Sequence, residues 1–123
     1  FKFVYDLHDS IHNKVNKVCK EIYGASNVIF SDSAKESIKR IEKLKLDKVP
    51  VCIAKTQYSL SDNPKNLLCD RSYDITIRDV ELKNGAGFVV CKAGTIMTMP
   101  GLPKVPAANS IDIDENNNIV GIF

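Results

Sequence analysis

Apolar residues recur every three to four positions through Ile11, Val15, Val18, Cys19 and Ile22, the spacing of one face of an α-helix. Asp9 or Ser10 supplies a side-chain oxygen to cap its first turn, and Gly24 stands where a helix commonly ends. His12, Lys14, Lys17 and Lys20 fall off the stripe and are expected on a solvated face. A second stripe, Ala34, Ile38, Ile41 and Leu44, follows Ser31-Asp32-Ser33, with Glu36 in capping-box spacing from Ser33. The period changes after Pro50. Val51-Cys52-Ile53-Ala54 is short, apolar and half β-branched, which predicts a strand buried on both faces. Ile75-Thr76-Ile77-Arg78 alternates, and Val80-Glu81-Leu82 alternates again one register off, so a β-bulge is expected at Arg78-Asp79. Asp70 to Ser72 reads as a turn before these strands. Lys83-Asn84-Gly85-Ala86-Gly87 turns the chain, and Phe88-Val89-Val90-Cys91 returns as a strand. Ile111 and Ile113 alternate with Asp112 and Asp114, and Asn116-Asn117-Asn118 turns the chain into a terminal hairpin closed by residues 119–123. Two helices followed mainly by strands and turns predict an α+β fold. The N-terminal helices should pack on a mixed or antiparallel sheet, roll-like, in a single domain spanning residues 1–123.

Composition narrows the function classes. Seventeen basic against 15 acidic residues leave a net charge of +2, too balanced for a nucleic-acid binder. No apolar run approaches the roughly 20 residues that a membrane-spanning helix needs. The N-terminus lacks a basic-then-apolar leader pattern and starts at Phe1, which gives the expectation of a fragment or processed piece. Cys19, Cys52, Cys69 and Cys91 are widely spaced, without a C-x-x-C pair or a nearby histidine, so zinc-ligand spacing is absent. Cys52 and Cys91 sit in apolar runs and are expected to be buried, in a reducing, intracellular setting.

Two stretches carry candidate chemistry. In Lys55-Thr56-Gln57-Tyr58-Ser59-Leu60-Ser61-Asp62-Asn63-Pro64 every side chain except Leu60 and Pro64 is polar. A polar loop at the end of a strand is a common place for ligand contacts, and equally one where Thr, Ser and Asp cap a turn. The second stretch is Met97 to Ala108, with Pro100, Gly101, Pro103 and Pro106 in seven residues. Each proline fixes φ and lacks an N–H, and the residues before prolines are pushed towards extended geometry. This makes a stiff, largely apolar loop: a rigid crossover or a preformed wall of a ligand site. The sequence has no G-x-x-x-x-G-K-[ST] phosphate loop and no G-x-S-x-G elbow. Gly85-Ala86-Gly87 lacks the third glycine and following helix of a dinucleotide fingerprint, and Asp112, Asp114 and Glu115 lack EF-hand spacing. A pair assembled by folding, such as His8 or His12 with Asp62, has no support in the spacing. No catalytic residue and no metal ligand is assigned.

The same two stretches resemble a known family. Residues 51–64, Gly87-Phe88-Val89-Val90 and Gly94-Thr95-Ile96-Met97-Thr98-Met99-Pro100-Gly101-Leu102-Pro103 are similar to the C-terminal region of formate–tetrahydrofolate ligases. Lys20 to Ala25 and the segments Ile111 to Asp114 and Gly121 to Phe123 fit the same pattern, so the resemblance runs through nearly the whole chain. It implies the C-terminal domain of a larger enzyme that joins formate to tetrahydrofolate with Mg²⁺-ATP through formyl phosphate, assisted by a monovalent cation. In some members this activity is part of a larger one-carbon folate protein. The phosphate loop and the folate-clamping aromatics belong to the family's upstream region, so this segment alone is expected to be inactive and to bind none of these groups tightly. On this resemblance Lys55, Thr56, Gln57, Tyr58, Ser59 and Asp62 form a polar substrate- or nucleotide-binding edge. Met99, Pro100, Gly101 and Leu102 support it as a preformed backbone loop. The implied partners are the remaining domains of the same polypeptide and further copies in a homo-oligomer, with no nucleic acid and no membrane, in the cytoplasm or the mitochondrion. The alternatives are a non-catalytic assembly or interdomain role and an independent small-ligand binding domain.

Overall fold

The computed structural model of the chain describes residues 2–67, 72–96 and 103–122. Helix α1 spans Ile11–Glu21 and α2 spans Asp32–Lys43, with strand β1 (Asn27–Phe30) between them. Strands β2 (Val51–Ala54), β3 (Asp74–Lys83) and β4 (Phe88–Ala93) follow, and after a short 3-10 turn comes the hairpin β5 (Asp112–Ile113) and β6 (Ile119–Val120). The first four strands make one mixed sheet in the order β1-β3-β4-β2. β1 with β3 and β2 with β4 are parallel, and β3 with β4 is antiparallel. The fold is α+β. Strand β1 was not anticipated, because Val28-Ile29-Phe30 is too short to show a period.

Local chemistry sets the helix boundaries. Ser10 caps α1, its Oγ accepting the Asn13 N–H at 3.3 Å, while the Asp9 carboxylate pairs with Lys17 at 3.0 Å. Ser31 caps α2, its Oγ accepting the Ala34 N–H at 3.1 Å. The expected Ser33–Glu36 capping box does not form; Glu36 meets Arg40 one turn along at 3.0 Å. Ser31 prevails because the sheet pins it: its N–H donates to the Ile77 carbonyl at 2.9 Å and its hydroxyl to the Arg78 carbonyl at 2.7 Å.

The core lies between the two helices and one face of the sheet. Ile11, Val15, Cys19, Ala34, Ile38 and Ile41 meet Ile75, Ile77, Val80, Val89, Cys91 and Ala93, all buried. Ile77 and Val80 are three residues apart and would normally point to opposite faces. The expected bulge reconciles them. The register with β4 shifts between Ile77 and Asp79, so Arg78 is the extra residue and the apolar set stays on one side.

Among the described residues the other face of the sheet carries no helix, and several expectations change there. Cys52 is exposed, so β2 is not buried on both faces. Asp79, Glu81, Lys83 and Lys92 form an ion network on this face, with Lys83 at 2.6 Å from Glu81 and Lys92 against both acids. Ile22 and Leu44 end the helical stripes but are exposed. Lys14, expected in solvent, is fully buried. Its ammonium donates to the carbonyls of Asp47 at 2.7 Å and Val49 at 2.9 Å, so it ties α1 to the segment between α2 and β2.

The terminal hairpin forms as expected. The Asp114 carboxylate accepts the N–H groups of Asn116 and Asn118, both at 2.8 Å, and these bonds hold its pKa below the ordinary range. Ile111, Ile113, Ile119 and Ile122 of this arm are exposed. The turn read at Asp70 to Ser72 lies largely outside the described residues, as does Cys69. Among the described residues no helix is long and apolar enough to cross a membrane.

Candidate functional site

Strand β3 is longer than its partner β4. Its pairing with β4 stops at Ile77–Ala93, and β3 continues down to Asp74 beside β1. This leaves a step at the C-terminal ends of β2 and β4. The polar loop after β2 fills it. The Asp62 carboxylate accepts the Thr76 N–H at 3.0 Å, standing in for the missing residue of β4. Next to it the chain leaves β4 through Gly94, which has φ +76°; a Cβ there would sit 2.8 Å from the Asp62 carbonyl oxygen. Only glycine allows both the turn and the approach.

Within the loop most polar groups serve its own architecture. The Thr56 Oγ1 accepts the Tyr58 N–H at 3.2 Å, a side-chain-mimicked turn. The Ser59 Oγ donates to the Asn66 carbonyl at 2.6 Å and accepts the Ser61 N–H at 3.1 Å. Ser61 is buried, and its Oγ donates to the Asn63 carbonyl and accepts the Asn63 N–H, each at 3.1 Å. The Lys55 ammonium turns inward, donating to the carbonyls of Thr56 at 2.8 Å and of Ser59. It also lies 5.2 Å from the centre of the Tyr23 ring, a cation–π contact. The loop is therefore a self-bonded unit with a fixed outline.

That unit walls two clefts. The larger, about 730 Å³, brings Lys55, Thr56, Gln57, Tyr58 and Asp62 together with Arg78, Gly94 and Thr95. The smaller, about 550 Å³, shares Lys55, Thr56, Gln57 and Tyr58 and adds Tyr23, Ile53, Leu60 and Leu67, and Ser59 lines only this one. Gln57 and Tyr58 are exposed, and Lys55, Thr56 and Asp62 are half-buried. His8 and His12 do not line either cleft; the His12 ring packs 4.5 Å from that of Phe30. Met99, Pro100, Gly101 and Leu102 lie outside the described residues, although Ile96, on the way to them, lines the larger cleft. Among the described residues no three His, Cys, Asp or Glu side chains gather in a set that could hold a metal ion. Sequence reasoning missed Arg78 as a lining residue. The signal was present, since a bulge commonly re-aims the side chain it carries.

A model of the formate–tetrahydrofolate ligase family matches residues 1–123, the whole chain. The chain belongs to that family. Formate–tetrahydrofolate ligases are enzymes of folate-linked one-carbon metabolism that bond formate to tetrahydrofolate. For a ligase of this kind the polar loop offers hydroxyl, amide and phenol groups on a stiff frame. These 123 residues contain no glycine-rich loop ending in Lys and Ser or Thr.

Proposed function

We propose that this chain acts as the C-terminal part of a formate–tetrahydrofolate ligase, lining a substrate or nucleotide cleft whose phosphate chemistry is supplied by another part of a longer polypeptide. The observation that carries this reading is the larger cleft, where Lys55, Thr56, Gln57, Tyr58 and Asp62 converge on one rigid wall. Thr56, Gln57 and Tyr58 would contact the ligand. Lys55, Ser59 and Asp62 would hold the frame, since their polar atoms are bonded within the loop or to β3, whereas the Thr56 hydroxyl, which accepts the Tyr58 N–H, would still have its own proton to donate. Activating formate with ATP requires phosphate cradling and concentrated positive charge, and neither is present in this loop. Tetrahydrofolate, Mg²⁺-ATP and a monovalent cation are on this reading the ligands of the whole enzyme, and none would bind tightly to the 123 residues alone.

The exposed apolar side chains of the terminal hairpin, Ile111, Ile113, Ile119 and Ile122, support contact with further protein. A two-stranded hairpin is marginal by itself, so the remaining domains or a second copy would cover this arm. An assembly role alone would use the arm and leave the cleft without a ligand. The deciding experiment is ATP- and formate-dependent synthesis of 10-formyltetrahydrofolate by the longer parent polypeptide and by the 123-residue chain. Activity in the parent and none in the chain is the expected result. Synthesis by the chain alone would overturn the division of labour, and no synthesis by either would favour the assembly role.

A further inference from the structure

The bulge in β3 gives the larger cleft a cation that the polar loop does not supply. Arg78 is the extra residue of that bulge, is exposed, and lines the cleft together with Thr56, Gln57 and Tyr58. Its backbone is held by Ser31. The Arg78 carbonyl accepts the Ser31 hydroxyl at 2.7 Å, and the same hydroxyl accepts the Ala34 N–H that starts α2. The neighbouring Ile77 carbonyl accepts the Ser31 N–H at 2.9 Å. The main chain of the bulge is thus held by the α2 cap. Among the described residues the Arg78 guanidinium forms no ion pair, whereas Lys55, the other cation of the cleft, is drawn into its own loop.

We infer that Arg78 is an anion-recognition residue of this cleft, gripping a carboxylate or phosphoryl group of the ligand whose polar body lies along Thr56, Gln57 and Tyr58. A guanidinium presents a planar fork of donors that matches such oxyanions in a bidentate way, and it stays charged throughout the accessible pH range. The Asp62 carboxylate also lines this cleft and accepts the Thr76 N–H, and among the described lining residues Lys55 and Arg78 set two cations against this one acid. Arg78 binds and orients; it takes no part in proton transfer.

This inference rests on the cleft being the ligand site, and its test separates the two. Arg78→Ala, Arg78→Lys, Gln57→Ala and Tyr58→Phe are introduced into the parent ligase, and KM is measured separately for ATP, formate and tetrahydrofolate carrying one or several glutamates. Arg78→Ala is expected to raise KM for one anionic substrate tenfold or more, with the other KM values and the melting temperature little changed. Arg78→Lys should recover part of the loss, since a point charge replaces the fork. An effect confined to ATP identifies a phosphoryl group. An effect on formate, or one that grows with the number of glutamates, identifies a carboxylate. If Gln57→Ala or Tyr58→Phe alters a KM and Arg78→Ala alters none, the role of Arg78 is overturned while the cleft stands. If all of them leave every KM unchanged, both fall.

Discussion

Replacing Gly94 by alanine tests how the cleft is built. Two costs are combined at this position. The backbone sits at φ +76°, where an L-residue loses about 1–2 kcal/mol relative to glycine. The added Cβ would also lie 2.8 Å from the Asp62 carbonyl oxygen, a backbone atom that cannot rotate away. Relieving such an overlap by backbone movement costs about 1–3 kcal/mol. Two other glycines separate the terms. Gly87 has φ +75° with nothing within 4 Å of its Cβ position, so Gly87→Ala carries the strain alone. Gly85 has open space and no positive φ, so Gly85→Ala should be neutral or slightly stabilising, by about 0.4–1 kcal/mol through the unfolded chain. The expected order of loss in urea unfolding of the 123-residue chain is Gly94→Ala at about 2–5 kcal/mol, Gly87→Ala at about 1–2, and Gly85→Ala near zero or below. The Gly94 variant should also disturb the loop, since the atom that must move belongs to Asp62; amide exchange at Thr76 would rise with it. A Gly94→Ala loss equal to that of Gly87→Ala, with Thr76 still protected, would refute the account of loop and strand locked by close approach.

Other outcomes follow from buried and paired groups. Burial pushes the Cys19 thiol up to about 11 and the Cys91 thiol up to about 12, whereas Cys52 is exposed. Iodoacetamide at neutral pH should therefore label Cys52 in the native chain and spare Cys19 and Cys91, as read by peptide mapping. Lys14→Met keeps the apolar stem but strips the Asp47 and Val49 carbonyls of their donor. It should cost about 1–3 kcal/mol in denaturant unfolding, and a gain in stability would show that the burial of this ammonium outweighs its bonds. Glu81 is held down to about 2, first by Lys83 and then by Lys92, against an ordinary 4.5. Its folded-state value is depressed, so its contribution is present above about pH 4.5 and lost as pH falls towards 2. Urea unfolding of the parent chain and of Glu81→Gln should converge across that window, and a constant gap between them would contradict the pairing.

Much of this fold was legible because its elements are amphipathic at clear periods. The helical stripes, the bulge at Arg78 and the Asn116–Asn118 turn are all local patterns, and each formed where the pattern put it. Most of the errors share one physical origin: local pattern does not reveal what the rest of the chain brings against a segment. Val51-Cys52-Ile53-Ala54 reads as a strand buried on both faces, yet both helices pack on one face and leave Cys52 exposed. Lys14 looks solvated by type and spacing, but the segment from Asp47 to Val49 folds over it and supplies two carbonyls. Ser31 outcompetes Ser33 as a cap because of bonds to β3, which lies more than forty residues further along.

The candidate site follows the same logic. Composition marks the loop from Lys55 to Pro64 as polar and cannot divide its side chains between frame and surface. The division comes from one geometric fact, the step left where β3 outruns β4. Filling that step takes Asp62 to the Thr76 N–H, and the turn behind it takes Ser59, Ser61 and the Lys55 ammonium. What remains at the rim is Thr56, Gln57 and Tyr58, with Arg78 brought in by the bulge on the strand that created the step. Strand β3 thus contributes to both parts of the cleft lining, through its step and through its bulge. A substitution that restores even register at the bulge, such as deletion of Arg78, should therefore misplace the loop as well as remove the cation. A simple side-chain truncation at Arg78 should leave the loop where it is, because the contacts that fix it run through the main chain of β3.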